Sequence, residues 1–267
     1  MIGNGSHKVD YASTDLAGNA ETPRSVVFQI GPVVEPPAST LSVSATPEPS
    51  GWYVAPVTVT LTGTSPSGSP VTIHVRIDGG SWAVYTEPIS LGEGDHTLEY
   101  YAADATGATE PSRSLAIPVD LTPPLTAVTL LGTRGRGVWF VSLVTVSLAA
   151  SDATSGVASI GYRLDGGAWQ SYAASFVVGD GHHVLEVQAR DQAGLLEALQ
   201  TVRIKVDVDP PSLRSLGPSR IVTSSSVLVA WNATDAVSGV AVYEVSVDGA
   251  PFANLSLAED VALSSIL

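Results

Sequence analysis

Apolar residues alternate with polar ones over short runs along most of the chain. Val57, Val59 and Leu61 are separated by Thr58 and Thr60, and Val71, Ile73, Val75 and Ile77 by Thr72, His74 and Arg76. A period of two places the apolar side chains on one face, so each run predicts a half-buried β-strand. Leu98, Tyr100 and Ala102 form another such run, as do Leu115, Ile117 and Val119. Asp78-Gly79-Gly80 between two runs predicts a hairpin turn. No stretch keeps the i, i+3, i+4, i+7 apolar stripe of an amphipathic helix. The pattern therefore predicts about seven short strands and no long helix.

The pattern repeats. Asp78-Gly-Gly-Ser-Trp82 returns as Asp165-Gly-Gly-Ala-Trp169, and Trp52 returns as Trp139, both 87 residues later. Asp104 and Asp191 share that spacing, as do Asp120-Leu-Thr-Pro-Pro124 and Asp207-Val-Asp-Pro-Pro211. The strand positions follow: Ile160, Tyr162 and Leu164 form one face, Leu185, Val187 and Ala189 the next, and Val202, Ile204 and Val206 the last. Asp235-Ala-Val-Ser-Gly239 repeats Asp152-Ala-Thr-Ser-Gly156 at a spacing of 83. At the start, Val9, Tyr11, Val26, Phe28 and Ile30 take the places of Leu98, Tyr100, Leu115, Ile117 and Val119, 89 residues earlier. The chain thus divides into a partial copy (1–31) holding only final strands, two full copies (32–120 and 121–208), and a last copy (209–267) without its final strands. Many matches at one spacing are the mark of a domain array. Alternating strands in units of this length predict an all-β fold of tandem immunoglobulin-like antiparallel β-sandwiches.

The series Gly-Trp-Tyr, Val-Thr-Val-Thr-Leu, Ser-Gly-Val, Tyr-Arg-Leu-Asp-Gly-Gly-x-Trp-x-x-Tyr, Gly-x-His and Asp-x-Ala-Gly-Asn resembles a bacterial and archaeal extracellular Ig-like repeat. It is similar to the leptospiral outer-membrane-type repeats of adhesins, surface-layer proteins and appendages of secreted hydrolases. The resemblance covers nearly the whole chain. It is weaker in 32–120, where Thr64-Ser-Pro-Ser-Gly68 lacks the Asp, and the copy after 212 looks more like a fibronectin-type relative, with Val229-Ala-Trp231 on its second strand. The resemblance implies a sandwich fold and an extracellular or cell-surface setting, and says little of function.

Composition narrows this picture. The 267 residues are 44% hydrophobic and 14% charged, so cores can form and general disorder is disfavoured. A formal net charge of −14 disfavours a nucleic-acid partner. The absence of cysteine excludes disulfides and thiolate chemistry. No run of 18 or more apolar residues predicts a membrane span, and Met1-Ile2-Gly3-Asn4-Gly5 has no signal-peptide pattern.

No catalytic constellation is expected. The chain holds no His-Glu-x-x-His, Gly-x-Ser-x-Gly or P-loop, and Gly132-x-x-Gly135-x-Gly137 reads as a turn. His7, His96 and His183 recur once per copy after a glycine, as turn-bonding residues would. The acidic loops are the chemical candidates. In an Ig-like sandwich the loop after the second strand and the last hairpin meet the incoming linker. Asp120, Asp152 and Asp191 would then converge, with Asp207, Asp209 and Asp235 as a second set, and carboxylates with carbonyls would suit Ca2+. Each Asp could equally close its own turn through an Asx bond. Gly31 stands where a first-junction Asp would be, so no site is expected there. No cofactor is required. Trp82 with Tyr85, and Trp169 with Tyr172, could form sugar-binding platforms or pack over their hairpins. Asn4, Asn232 and Asn254 fit the N-glycosylation sequon.

The short proline-bearing linkers predict stiff joints. The expected function is a non-enzymatic extracellular structural protein, a rod, stalk or filament subunit. Its partners would be neighbouring Ig-like domains of the same array or copies of itself, joined head to tail by residues 1–31 completing 212–267. An adhesin or carbohydrate-binding accessory module of a secreted multidomain protein is the alternative.

Overall fold

The computed structural model describes residues 2–31, 35–215, 226–246, 249–255 and 260–264, and the described residues form strands and turns without a helix. The chain divides into two compact units, residues 1–120 and 121–267.

The first unit opens with a hairpin of β1 (Gly5–Tyr11) and β2 (Arg24–Ile30). Its full copy follows with β3 (Ala38–Val43), β4 (Val57–Thr64), β5 (Val71–Ile77), β6 (Ala83–Val84), β7 (Ile89–Leu91), β8 (Gly94–Asp104) and β9 (Arg113–Val119). One sheet has the order β3-β4-β7 and the other β6-β5-β8-β9, with antiparallel pairing throughout. The alternation fixes the core. Val57, Val59, Leu61 and Leu91 from one sheet are buried, as are Ile73, Val75, Leu98, Tyr100, Ala102, Ile117 and Val119 from the other. Leu115, expected on that inner face, is partly exposed.

The second unit repeats this plan with β10 (Leu125–Leu131), β11 (Trp139–Phe140), β12 (Val144–Ser151), β13 (Val157–Leu164), β14 (Gln170–Ser171), β15 (Phe176–Val178), β16 (Gly181–Asp191) and β17 (Gln200–Val206). Its sheets run β10-β12-β15 and β11-β17-β16-β13-β14. Phe140, Val144, Val146, Leu148, Val178, Leu185, Val187, Ile204 and Val206 form one buried cluster. The short β11 pairs in parallel with β17, where the first copy has only a Tyr53–Val119 bridge. Then come β18 (Ser212–Ser215), β19 (Ser226–Thr234), β20 (Tyr243–Val245), β21 (Ala253–Leu255) and β22 (Asp260–Ser264), in sheets β18-β19-β22 and β20-β21.

The Asp-Gly turns are built as the residues demand. Asp78 and Gly79 have φ of 51° and 71°, and Asp165 and Gly166 have 53° and 70°. Positive φ at both central positions is the type I′ geometry that matches strand twist, and Asp-Gly tolerates it best. The Asp78 carboxylate accepts the Thr97 N–H (2.7 Å) and lies 2.9 Å from His96 Nδ1; Asp165 does the same with Val184 (2.8 Å) and His183 (2.7 Å). The His96 hydrogen bond is the main cause that holds the Asp78 carboxyl below the usual Asp range. At Asp165 burial opposes and is outweighed by the His183 and Val184 bonds, so that carboxyl is also lowered. A lowered folded pKa gives stability that is full above about pH 4 and is lost as pH falls through the folded value. Urea midpoints should therefore drop as the pH falls below about 4, and the drop should shrink in an Asp78→Asn, Asp165→Asn variant.

A second repeated device joins the two sheets of each copy. Glu197 is buried, and its carboxylate accepts the Thr126 N–H (2.7 Å), the Thr126 hydroxyl (2.6 Å) and the Ala189 N–H (2.9 Å). It thereby links β10 in one sheet to β16 in the other. Glu110 does the same with the Ser39 N–H and hydroxyl and the Ala102 N–H, and it meets Arg113 at 3.2 Å. Glu21, the hairpin's equivalent, accepts the Ser13 N–H at 2.9 Å and is exposed.

Candidate metal site

Each aspartate of the acidic loops closes its own turn with one carboxylate oxygen. Oδ1 of Asp152 accepts the N–H of Thr154 (3.2 Å) and Gly156 (2.7 Å). Oδ1 of Asp191 accepts those of Gly194 (2.7 Å) and Leu195 (2.8 Å), and Oδ1 of Asp235 those of Val237, Ser238 and Gly239 at 3.1, 2.8 and 2.7 Å. The Asx bonds expected as one reading are thus present. They occupy one oxygen of each carboxylate and leave the second to other partners.

Comparing the copies shows what that second oxygen meets. In the hairpin, the Asn19 amide donates to Asp15 Oδ2 at 2.9 Å. In the first full copy, Ser65 donates to Asp104 Oδ2 at 2.8 Å. The position of Ser65 is occupied in the next copy by Asp152, an acceptor. An oxygen of Asp152 and one of Asp191 lie within 4.8 Å. A hydroxyl donor has been exchanged for a second negative charge. Like charges at that separation repel unless a cation or proton lies between them. Asp120, the last residue of the first unit, is fully buried and its N–H donates to Tyr53 O at 2.9 Å.

The second set lies within the second unit. The Asp207 N–H bonds Phe140 O (2.8 Å), and its Oδ2 accepts the Ser238 N–H (3.0 Å). The Asp235 carboxyl is held below the usual range, chiefly by the Gly239 N–H. Asp209 is exposed and lies two residues on. Asp207, Asp209 and Asp235 share a cleft of about 480 Å³ with Arg136, Trp139 and Ser238.

The candidate aromatics are engaged with other groups of their own copy. Arg76 lies over the Trp82 ring at 4.8 Å and Arg163 over Trp169 at 5.0 Å. Each arginine also forms a two-pronged ion pair across the sheet: Arg76 with Glu99 at 2.7 and 2.8 Å, Arg163 with Glu186 at 2.7 and 3.0 Å. Tyr85 accepts the Leu61 N–H through its hydroxyl, and Tyr172 packs edge-on against Tyr162. Asn4 and Asn232 are exposed, and the Asn254 side chain lies outside the described residues. Pattern reading missed the glutamates. Their signal was the spacing that places Glu21, Glu110 and Glu197 at one position of three copies.

No family model matches the chain, and no curated protein matches it. Among solved structures it is similar to the fibronectin(III)-like modules of CbhA from Clostridium thermocellum, at 16% identity and a TM-score of 0.29, covering 62% of this chain and 94% of that one. The D00-D0 domain of intimin shares 12% identity at a TM-score of 0.28, covering 62% and 97%. Dimeric latent PorU from Porphyromonas gingivalis shares 13% at 0.26, covering 78% of this chain and 28% of that protein. By its own sheet order, register and buried faces, the chain is an all-β protein of tandem immunoglobulin-like antiparallel sandwiches.

Proposed function

We propose that this chain is a non-catalytic structural module of a cell-surface or extracellular array, which assembles head to tail by strand complementation. The observation that carries the reading is the open face of the β1–β2 hairpin. Phe28, Ile117 and Ile204 hold one position in three copies, with exposures of 36%, 0% and 1%. Val9 is 44% exposed where Leu98 and Leu185 are fully buried, and Tyr11 and Val26 are exposed beside it. A two-stranded hairpin with an uncovered apolar face is marginal in water by itself.

The occupant that fits this face is the β18–β22 segment of a second copy. The hairpin supplies the counterparts of β8 and β9, or of β16 and β17. The segment β18–β22 supplies the counterparts of β10, β12, β13, β14 and β15. Register supports the match. Thr126 pairs with Ala150 on β10–β12, and Leu213 pairs with Ala233 at the same place on β18–β19. Thr126 N–H is the donor that Glu197 accepts. Leu213 N–H is therefore the donor that Glu21 of the neighbouring chain would accept. Leu213 is exposed where Thr126 is buried, as an incomplete sandwich requires.

Sedimentation velocity and electron microscopy over a concentration series test this. The chain should form linear assemblies with concentration, and Phe28→Asp with Glu21→Ala should leave it monomeric. A wild-type chain that stays monomeric at the highest concentration reached overturns the reading. It would assign the open face to strands outside this sequence.

A further inference from the structure

We infer that Arg24 and Glu21 form a clamp for the main chain of an incoming strand, and that the residue they grip is Leu213 of a second copy. The inference rests on the assembly reading and adds to it the side chain that recognises the partner.

The first full copy shows the clamp closed. Arg113 on β9 pairs with Tyr100 on β8, and Glu110 stands three residues before it. The Arg113 guanidinium donates to the Ser39 main-chain oxygen at 3.0 Å and meets Oε2 of Glu110 at 3.2 Å. Oε1 of Glu110 accepts the Ser39 N–H at 3.1 Å. Both main-chain groups of one β3 residue are thus held, one by each side chain. The hairpin keeps both side chains in the same register. Arg24 pairs with Tyr11, again with the glutamate three residues before it. The Glu21 half is already set. Its N–H donates to Ser13 O at 3.0 Å and its Oε1 accepts the Ser13 N–H at 2.9 Å. Glu110 makes the same two bonds with Ala102, at 3.0 and 2.9 Å. Glu21 and Arg24 are both exposed, and Arg24 has no hydrogen bond or ion pair among the described residues.

The number of donors gives Arg24 its role. A carboxylate taken out of water must be met by several of them. Glu197 has three: the Thr126 N–H, the Thr126 hydroxyl and the Ala189 N–H. Glu110 has the same three kinds, from Ser39 and Ala102, and Arg113 besides. Leu213, at that position of β18, has an N–H and no hydroxyl. A closed junction without Arg24 would leave Glu21 only the N–H groups of Ser13 and Leu213. Arg24 supplies the missing donor together with a compensating charge. The 121–208 copy holds Gln200 at this place and needs no arginine there, because Thr126 brings two donors itself. The clamp reads the N–H and C=O of an extended strand, whatever its side chain, and fixes which residue lies across the hairpin.

Sedimentation velocity over a concentration series should compare wild type with Arg24→Ala, Lys8→Gln and Leu213→Thr, the last also in a Glu21→Ala background. Arg24→Ala should weaken association about tenfold or more, the effect of losing a bond to a charged group. Lys8 lies on the opposite face of β1, paired with Asp10 at 2.8 Å. Lys8→Gln removes the same charge and should change association by no more than about twofold. Leu213→Thr restores the hydroxyl and should tighten association about threefold or more, and the gain should vanish in the Glu21→Ala background. If wild type assembles and Arg24→Ala behaves as Lys8→Gln does, Arg24 acts only through net charge; the clamp is overturned and the assembly reading stands. An equal gain from Leu213→Thr without Glu21 would reflect strand propensity and also overturn the clamp alone. A wild-type chain that stays monomeric overturns both.

Discussion

Glu197→Ala should lower the stability of the 121–208 sandwich by at least about 3 kcal/mol. The estimate follows from the donors left behind. Two main-chain N–H groups and a hydroxyl in buried surroundings lose one shared acceptor, at about 1–3 kcal/mol for each unsatisfied group. Their carriers lie far apart in sequence, Thr126 on β10 and Ala189 on β16, so no local rearrangement restores both. Glu197→Gln should cost less, because one acceptor oxygen remains while the amide group meets a donor. Urea denaturation followed through Trp139 and Trp169 reads the change in this sandwich. Glu21→Ala provides the internal comparison: in dilute, unassembled chains it should have little effect, because its carboxylate holds only Ser13.

Ile204→Ala should cost about 2–5 kcal/mol, the usual range for removing a buried branched side chain and leaving a cavity. Ile204 is buried in the cluster with Phe140, Leu185 and Val206. Phe28→Ala at the equivalent hairpin position should change the stability of the dilute chain by no more than about 0.5 kcal/mol, because an exposed ring leaves no cavity. Under assembling conditions the same substitution should behave as a core deletion. Equal effects of Phe28→Ala in dilute and concentrated samples would tell against complementation.

The alternation of apolar and polar residues made the strands, their inward faces and the domain spacing legible. It reports which face of a strand is apolar, but not whether anything covers it. Val9 and Tyr11 read the same as Leu98 and Tyr100, yet one pair is exposed and the other buried, because burial depends on strands elsewhere in the chain. Glu197 was illegible for a related reason. A single glutamate between Leu196 and Ala198 reads as a solvated loop residue, and its burial makes sense only once donors 71 and 8 residues away converge on it. The aspartates were readable as turn closers and as metal candidates from residue type. The sequence could not reveal that each turn uses one oxygen and directs the other at a neighbour, since this depends on carboxylate orientation.

The parallel contact near the end of each full copy bears on behaviour under load. In the 121–208 copy, β11 lies alongside the final strand β17, and Asp207 N–H bonds Phe140 O at 2.8 Å. In the 32–120 copy, Tyr53 N–H bonds Pro118 O and Asp120 N–H bonds Tyr53 O, both at 2.9 Å. Tension entering at the start of a copy and leaving at its end acts along these paired strands. The bonds must then slide past one another together instead of unzipping singly. Resistance to pulling is set by that barrier, hence by the unfolding rate and not by the equilibrium stability. Two thin contacts thus make each sandwich a mechanical clasp.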